Sequence, residues 1–338
     1  MADVFYGVAG HPVSHSLSPV LINLVAQYVS NQTKSGPKFN VKQTDLVSAE
    51  QIQDALAWGY VKSTPEPINW DLTGAPFGKF RNKALMQKVL EATAEITHSI
   101  DGLIEENPSH VPTNLPFNLK IELPTKSFTE EVWLNLTSPL KHQLKSPAVV
   151  DFNDSSLIES VNALRWDGFG WWSTNVDGSG VARVAQYFGI GITDGAILGI
   201  VGGGGAARST ARTWQKLGGK VLNLGGKRDL DNYDWFDSEI SSEKRCDVLI
   251  NFDDDTIPSD VDVTGFVMNA SYQMLEGEHK DRVSAITNQV VDGRWLLAAQ
   301  HLECWRQLWA PHAANLLPSL DLLVSMLVTA ESVLASYS

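Results

Sequence analysis

The chain has 338 residues, 43% of them hydrophobic, and a formal net charge of −13. That length suits two domains with real cores. So acidic a chain disfavours nucleic acid and anionic membrane surfaces, so neither is an expected partner.

The chain opens with a strand over residues 4–9 and a Gly-His-Pro turn. Ser16-Leu17-Ser18-Pro19 is a helix-start signal, followed by apolar residues at helical spacing, Val20, Leu21, Leu24, Val25 and Tyr28. A second strand over 39–46 and a helix over 48–58 continue the rhythm, which predicts a layered α/β domain. Residues 59–129 break it. Pro65, Pro67, Pro76, Pro108, Pro112, Pro116 and Pro124 punctuate this stretch, which reads as an insertion around one amphipathic helix at 82–100. Regular reading resumes with a strand at 132–137.

In the second half, an apolar strand at 195–201 runs into Gly202-Gly203-Gly204-Gly205-Ala206-Ala207-Arg208 and a helix to about 217, closed by Gly218-Gly219. Further strands are expected at 220–224, 247–251 and 265–269, a βαβ pattern that predicts a parallel sheet. The apolar run 316–334 contains Pro318, Asp321 and Glu331 and reads as a core helix. No stretch reaches the roughly 18 uninterrupted apolar residues of a membrane span. The N-terminal residues lack a signal-peptide pattern. Cys246 and Cys304 are far apart and without CxxC spacing, so two reduced thiols in a cytoplasmic protein are expected, with no metal site.

Gly202, Gly204 and Ala207 fit G-x-G-x-x-A between a strand and a helix, the context that motif requires. The first glycine permits a tight turn, the second lets backbone approach a pyrophosphate, and the alanine lets helix and strand pack closely. After the next strand, Leu224-Gly225-Gly226-Lys227-Arg228 holds two cations and no carboxylate before Asp229, which favours NADP over NAD.

Three polar stretches in the first half are candidate substrate contacts. Ser16 and Ser18 share one side of an extended segment and can bind a carboxylate, or one of them can be an ordinary N-cap. Lys141, just past a strand end, can exchange a proton with a substrate oxygen, or be a surface lysine. Asn162, an amide in an apolar strand, and Asp177, a carboxylate in a turn, are capable hydroxyl partners, or turn residues.

Taken in order, the motifs at residues 10–19, 135–141, 161–164, 175–178, 202–208 and 292–300 resemble the shikimate dehydrogenase family. The resemblance implies a two-domain α/β fold. Residues 1–176, with the insertion at about 59–129, would bind substrate, completed by C-terminal helices over 293–338. Residues 177–292 would form a Rossmann-type cofactor domain. It implies NADP-dependent reduction of 3-dehydroshikimate to shikimate, a step of aromatic amino acid biosynthesis, by a monomer or homodimer. Lys141 would be catalytic with Asp177 as its partner carboxylate. Ser16 and Ser18 would take the substrate carboxylate with Tyr272 nearby, and Thr137, Asn162 and Gln300 the ring hydroxyls. The cofactor would meet Gly202, Gly204, Gly205, Ala206, Lys227, Arg228 and Gly293.

Besides a 59–129 stretch longer than the family has there, the chain departs from the family at two places. Gly225-Gly226-Lys227 replaces the Asn-Arg-Thr of the NADP loop, which leaves NAD as the alternative cofactor. Asn251-Phe252-Asp253-Asp254-Asp255 replaces Asn-Ala-Thr, and acids there would repel a polyanionic cofactor unless they point away. Three rivals follow: a quinate or aminoshikimate dehydrogenase, a reductase of this plan acting on another acid or a folate-like substrate, and a non-catalytic regulatory relative that binds the ligand.

Overall fold

The computed structural model describes residues 2–32, 37–63, 130–146, 149–153, 155–168, 170–228, 230, 236, 244–253, 258–272, 277–288 and 291–336. Most of the proline-punctuated stretch, including the helix expected at 82–100, lies outside these residues, as do Asp229, Asp254 and Asp255.

The first sheet is built on β1 (Ala2–Gly10), which pairs in parallel with β2 (Phe39–Ser48) and β3 (Glu130–Leu136). Helices α1 (Ser18–Gln32) and α2 (Ile52–Ser63) follow the first two strands. Alternation along β3 sets two cores. Val132, Leu134 and Leu136 face Ala9, Ile52 and Leu56, while Trp133 faces Tyr6, Leu21 and Trp305. Asn135 falls on the Trp133 side by the same period of two.

Three short strands complete this sheet: β4 (Val149–Asp151), β5 (Ala163–Trp166) and β6 (Trp171–Thr174), in the order β2-β1-β3-β5-β6-β4. The pattern did not predict them, since they span three or four residues each. β5 runs antiparallel to both β3 and β6. Asn162 therefore sits just before a strand rather than inside one.

The second sheet is parallel, in the order β10-β9-β7-β8, with β7 (Ile197–Val201), β8 (Lys220–Asn223), β9 (Arg245–Asn251) and β10 (Asp262–Asn269). Helix α3 (Asp177–Tyr187) packs against both α4 (Gly205–Lys216), which follows the glycine loop, and α6 (Gly293–Cys304). Two glycines allow this. A Cβ on Gly178 would collide with the Ser209 carbonyl, and one on Gly180 would lie 2.8 Å from Gln300 Cγ. Helices α5 (His279–Asn288) and α7 (Leu320–Ser336) pack on each other, and α6 and α7 both reach α1. Asp177 is thus the first residue of a helix, where the motif read as a turn. No helix among the described residues is long and apolar enough to cross a membrane.

A buried ion pair pins β3 to β5. Arg165 donates from Nε and Nη2 to the two Glu131 oxygens, each at 2.7 Å, and from Nη1 to the Leu308 carbonyl. Arg165 is 3% exposed, so removing its partner strands a charge in the core. Glu131→Ala is expected to cost about 3–5 kcal/mol in urea unfolding. Glu131→Gln should cost less, because it keeps an acceptor, and equal losses would assign the whole effect to the lost charge.

Candidate active site

A cavity of about 170 Å³ opens where the two sheets' loops meet. For scale, a cavity of roughly 150 Å³ holds a benzene ring. Its wall takes Ser16 and Ser18 from the start of α1, Asn135 and Thr137 from the end of β3, and Lys141 from the 3-10 turn Leu140–His142. Asn162, Asp177 and Tyr272 add to it, and Leu297, Gln300 and His301 enter from one face of α6.

The hydrogen bonds converge on Asp177, whose side chain is 1% exposed. Lys141 Nζ donates to its two oxygens at 2.8 and 3.0 Å. Asn162 Nδ2 and Gln300 Nε2 donate to Oδ1 at 2.7 and 2.8 Å. Asn162 is itself held, since its Oδ1 accepts the Val176 N–H at 2.9 Å. The Asp177 N–H donates to Asn175 Oδ1, and the Asn175 amide is anchored on Ser160. Lys141 keeps 22% of its side chain exposed, so one face of the ammonium group can meet a ligand.

At the other end, Ser16 Oγ accepts the Ser18 N–H at 3.3 Å, an ST-type contact, and both residues line the cavity. Tyr272 lies 5.3 Å from the Arg294 guanidinium, and burial pushes its hydroxyl above the usual phenol range. Thr137 hangs from β1 through its N–H to the Ala9 carbonyl. All eight expected catalytic and substrate-binding residues thus border one space.

The cofactor residues divide into three groups. Gly202 has φ +119°, Gly204 has open space where a Cβ would sit, and no side chain caps α4. The first N–H groups of α4, from Gly205 and Ala206, are thereby open to phosphate oxygens, so this loop fits a pyrophosphate. A Cβ on Gly205 would lie 3.9 Å from Lys141 Cβ, which sets the loop beside the cavity. Gly293 is elsewhere: it abuts the Ala270 carbonyl and the Tyr272 ring at the start of α6.

Lys227 and Arg228 are exposed, and the expected phosphate contact is complicated by Asp253. Far from pointing away, Asp253 Oδ2 accepts the Lys227 N–H at 2.6 Å, and Lys227 Nζ donates to the Asp253 carbonyl at 2.7 Å. Its Oδ1 would lie 3.1 Å from a Cβ on Gly202. The loop ends therefore set one carboxylate beside the two cations that a second phosphate would meet.

Sequence reasoning missed Asn135 and His301 in the cavity wall and Tyr6 behind it. Tyr6 donates to Asn135 Oδ1 at 2.6 Å, behind Ser18. Asn135 stood in a recognised motif and could have been chosen. Tyr6 and His301 read as core residues on period alone.

Two α/β layers with parallel-stranded cores, meeting at a glycine loop and a polar cavity, define a two-domain α/β fold. It is the shikimate dehydrogenase fold. Shikimate 5-dehydrogenase from Thermus thermophilus, solved in complex with NADP(H) and shikimate, superimposes with a TM-score of 0.54 at 17% identity, over 98% of this chain and 99% of that one. Shikimate 5-dehydrogenase from Listeria monocytogenes, solved with shikimate and NAD, gives 0.52 at 13% identity, over 96% of each chain. At such identities the likeness is one of fold. In sequence, the chain is 36% identical over 94 residues to a shikimate dehydrogenase (NADP(+)) of Methylibium petroleiphilum. That match spans 28% of this chain and about a third (32%) of the relative's length. No family model matches the chain.

Asp253→Asn removes the charge but keeps an acceptor for the Lys227 N–H. Calorimetric titration should show about tenfold tighter NADP⁺ binding, roughly 1.4 kcal/mol, with NAD⁺ affected less. Equal affinities in wild type and variant would remove the Asp253 charge from cofactor recognition.

Proposed function

We propose that the chain is an NADP-dependent oxidoreductase acting on a CH–OH group, which interconverts 3-dehydroshikimate and shikimate. The observation that carries this reading is the Lys141–Asp177 pair in the cavity wall, with the glycine loop beside it. The likeness to shikimate dehydrogenases, one of them solved with NADP(H) and shikimate bound, supports it.

A nicotinamide bound at the glycine loop would supply the hydride that goes to the ring carbonyl carbon. The chain's own residues handle the rest. Lys141 holds a proton at Nζ and gives it to the carbonyl oxygen as that oxygen becomes a hydroxyl. In the reverse direction it takes the proton back. Asp177 aims the ammonium group, and with Asn162 shares one of the ring hydroxyls. Ser16 and Ser18, with Tyr272 nearby, take the carboxylate, and Thr137 and Gln300 take other ring hydroxyls. The acidic chain gains no help from its net field, so these local donors do the holding.

On this reading residues 1–176 and 293–338 bind substrate and 177–292 bind the cofactor. The protein works in the cytoplasm as a monomer or homodimer. The Asp253 contacts favour one rival, a ligand-binding relative with a weakened cofactor site.

The test follows absorbance of reduced nicotinamide with shikimate or quinate and NADP or NAD in four combinations. Reduction with shikimate and NADP is expected. Quinate as the better substrate would shift the assignment, and silence with folded protein would favour the binding relative. Lys141→Ala should lower kcat by about 10²–10⁴ while leaving the shikimate Kd within a few fold. Near-normal turnover would take Lys141 out of the mechanism.

A further inference from the structure

One group in the cavity wall has no work in the mechanism above. His301 follows Gln300 on α6, and its ring is 2% exposed. Neither Nδ1 nor Nε2 has a hydrogen-bond partner. Its neighbours are aromatic rings: Tyr6 at 6.2 Å and Trp309 at 5.8 Å between centroids. Leaving two polar atoms unmet in an interior costs free energy that a Leu or Phe at this position would avoid.

Location separates His301 from the other ring nitrogens of this kind. Trp166, Trp171 and Trp305 also bury an unpartnered Nε1, but none of them lines the cavity. An indole nitrogen is one small part of a large apolar ring. An imidazole is polar at two of its five ring atoms, so packing alone is a poor reason for it here. His301 is the unpartnered group whose missing partner can enter by the route a ligand takes.

We propose that His301 is a specificity-determining residue, whose imidazole exchanges a hydrogen bond with a ring hydroxyl of a carboxylated, polyhydroxylated substrate. The proposal rests on the oxidoreductase reading and sharpens it.

The chemistry selects a hydroxyl over the carboxylate. Burial pushes the imidazole down to about 3, so it is neutral at working pH, with one nitrogen donating and the other accepting. A hydroxyl offers both complements. A carboxylate only accepts, and it already has Ser16 and Ser18 at hand. The ring nitrogens are closed to bulk water, and His χ2 is a soft torsion, so a modest ring swing would bring an edge to the ligand. The contact would form in a dry setting, where a hydrogen bond counts for more.

His301→Phe keeps the aromatic packing and deletes both polar atoms. In the full-length protein it should raise the shikimate Kd by calorimetry, and the KM, by about 10- to 100-fold. The kcat should stay within a few fold, and the thermal midpoint should hold or rise. His301→Gln, which restores a donor and an acceptor, should recover part of the affinity. If the Phe variant does not fold, His301→Leu provides the same reading. Unchanged Kd and KM in a variant of an active, shikimate-binding wild type overturns this inference alone. So does a fall in thermal midpoint without a change in Kd, which would assign His301 to packing. Wild-type protein that binds neither shikimate nor quinate overturns the oxidoreductase reading, and this inference with it.

Discussion

The site depends on one buried carboxylate. Taking an ion out of water costs several kcal/mol even after relaxation, so Asp177 is tolerable only while its partners are in place. Those partners come from separate parts of the chain: Lys141 beyond β3, Asn162 before β5 and Gln300 on α6. A shift of any of these elements would leave a charge under-solvated in the core. The need to satisfy Asp177 therefore holds the cavity wall together. The position at the first turn of α3 helps, because the amide dipoles there favour negative charge.

Backbone packing fixes where that carboxylate lies. Gly178 and Gly180 let α3 settle closely on α4 and α6, nearer than a side chain would permit. Because α4 begins at the glycine loop and α6 carries Gln300, the same contacts set the phosphate-binding N–H groups and the cavity wall at a fixed separation. The approach of Gly205 to Lys141 shows that this separation is short.

Much of this was legible in the sequence, for identifiable reasons. β1, β3, β7 and β9 are apolar runs whose ends meet turn signals, and G-x-G-x-x-A has a meaning only between a strand and a helix, where it stands. The β5–β6 hairpin went unread because its strands are short, although Asp167-Gly168 is a hairpin signal. Asp177 read as a turn residue because Asn-Val-Asp-Gly is a turn composition. In the structure Asn175 instead takes the N–H of Asp177 and starts a helix. Tyr6 on β1 and His301 on α6 meet only through tertiary packing, and no local pattern encodes either.

The two halves of the site face different electrostatic problems. On the proposed substrate side Asp177 is answered by Lys141, and a ligand carboxylate would meet the neutral hydroxyls of Ser16 and Ser18. On the cofactor side the field is divided. The N-terminus of α4 offers uncapped N–H groups to a pyrophosphate, while Asp253 directs a carboxylate at the Lys227 N–H beside Gly202. Binding of a dinucleotide there balances attraction at its centre against repulsion at its ribose end. A 2′-phosphate bound there would meet two exposed cations and one carboxylate, so its binding would depend on the Asp253 side chain turning from it, whereas a bare ribose hydroxyl could donate to that carboxylate.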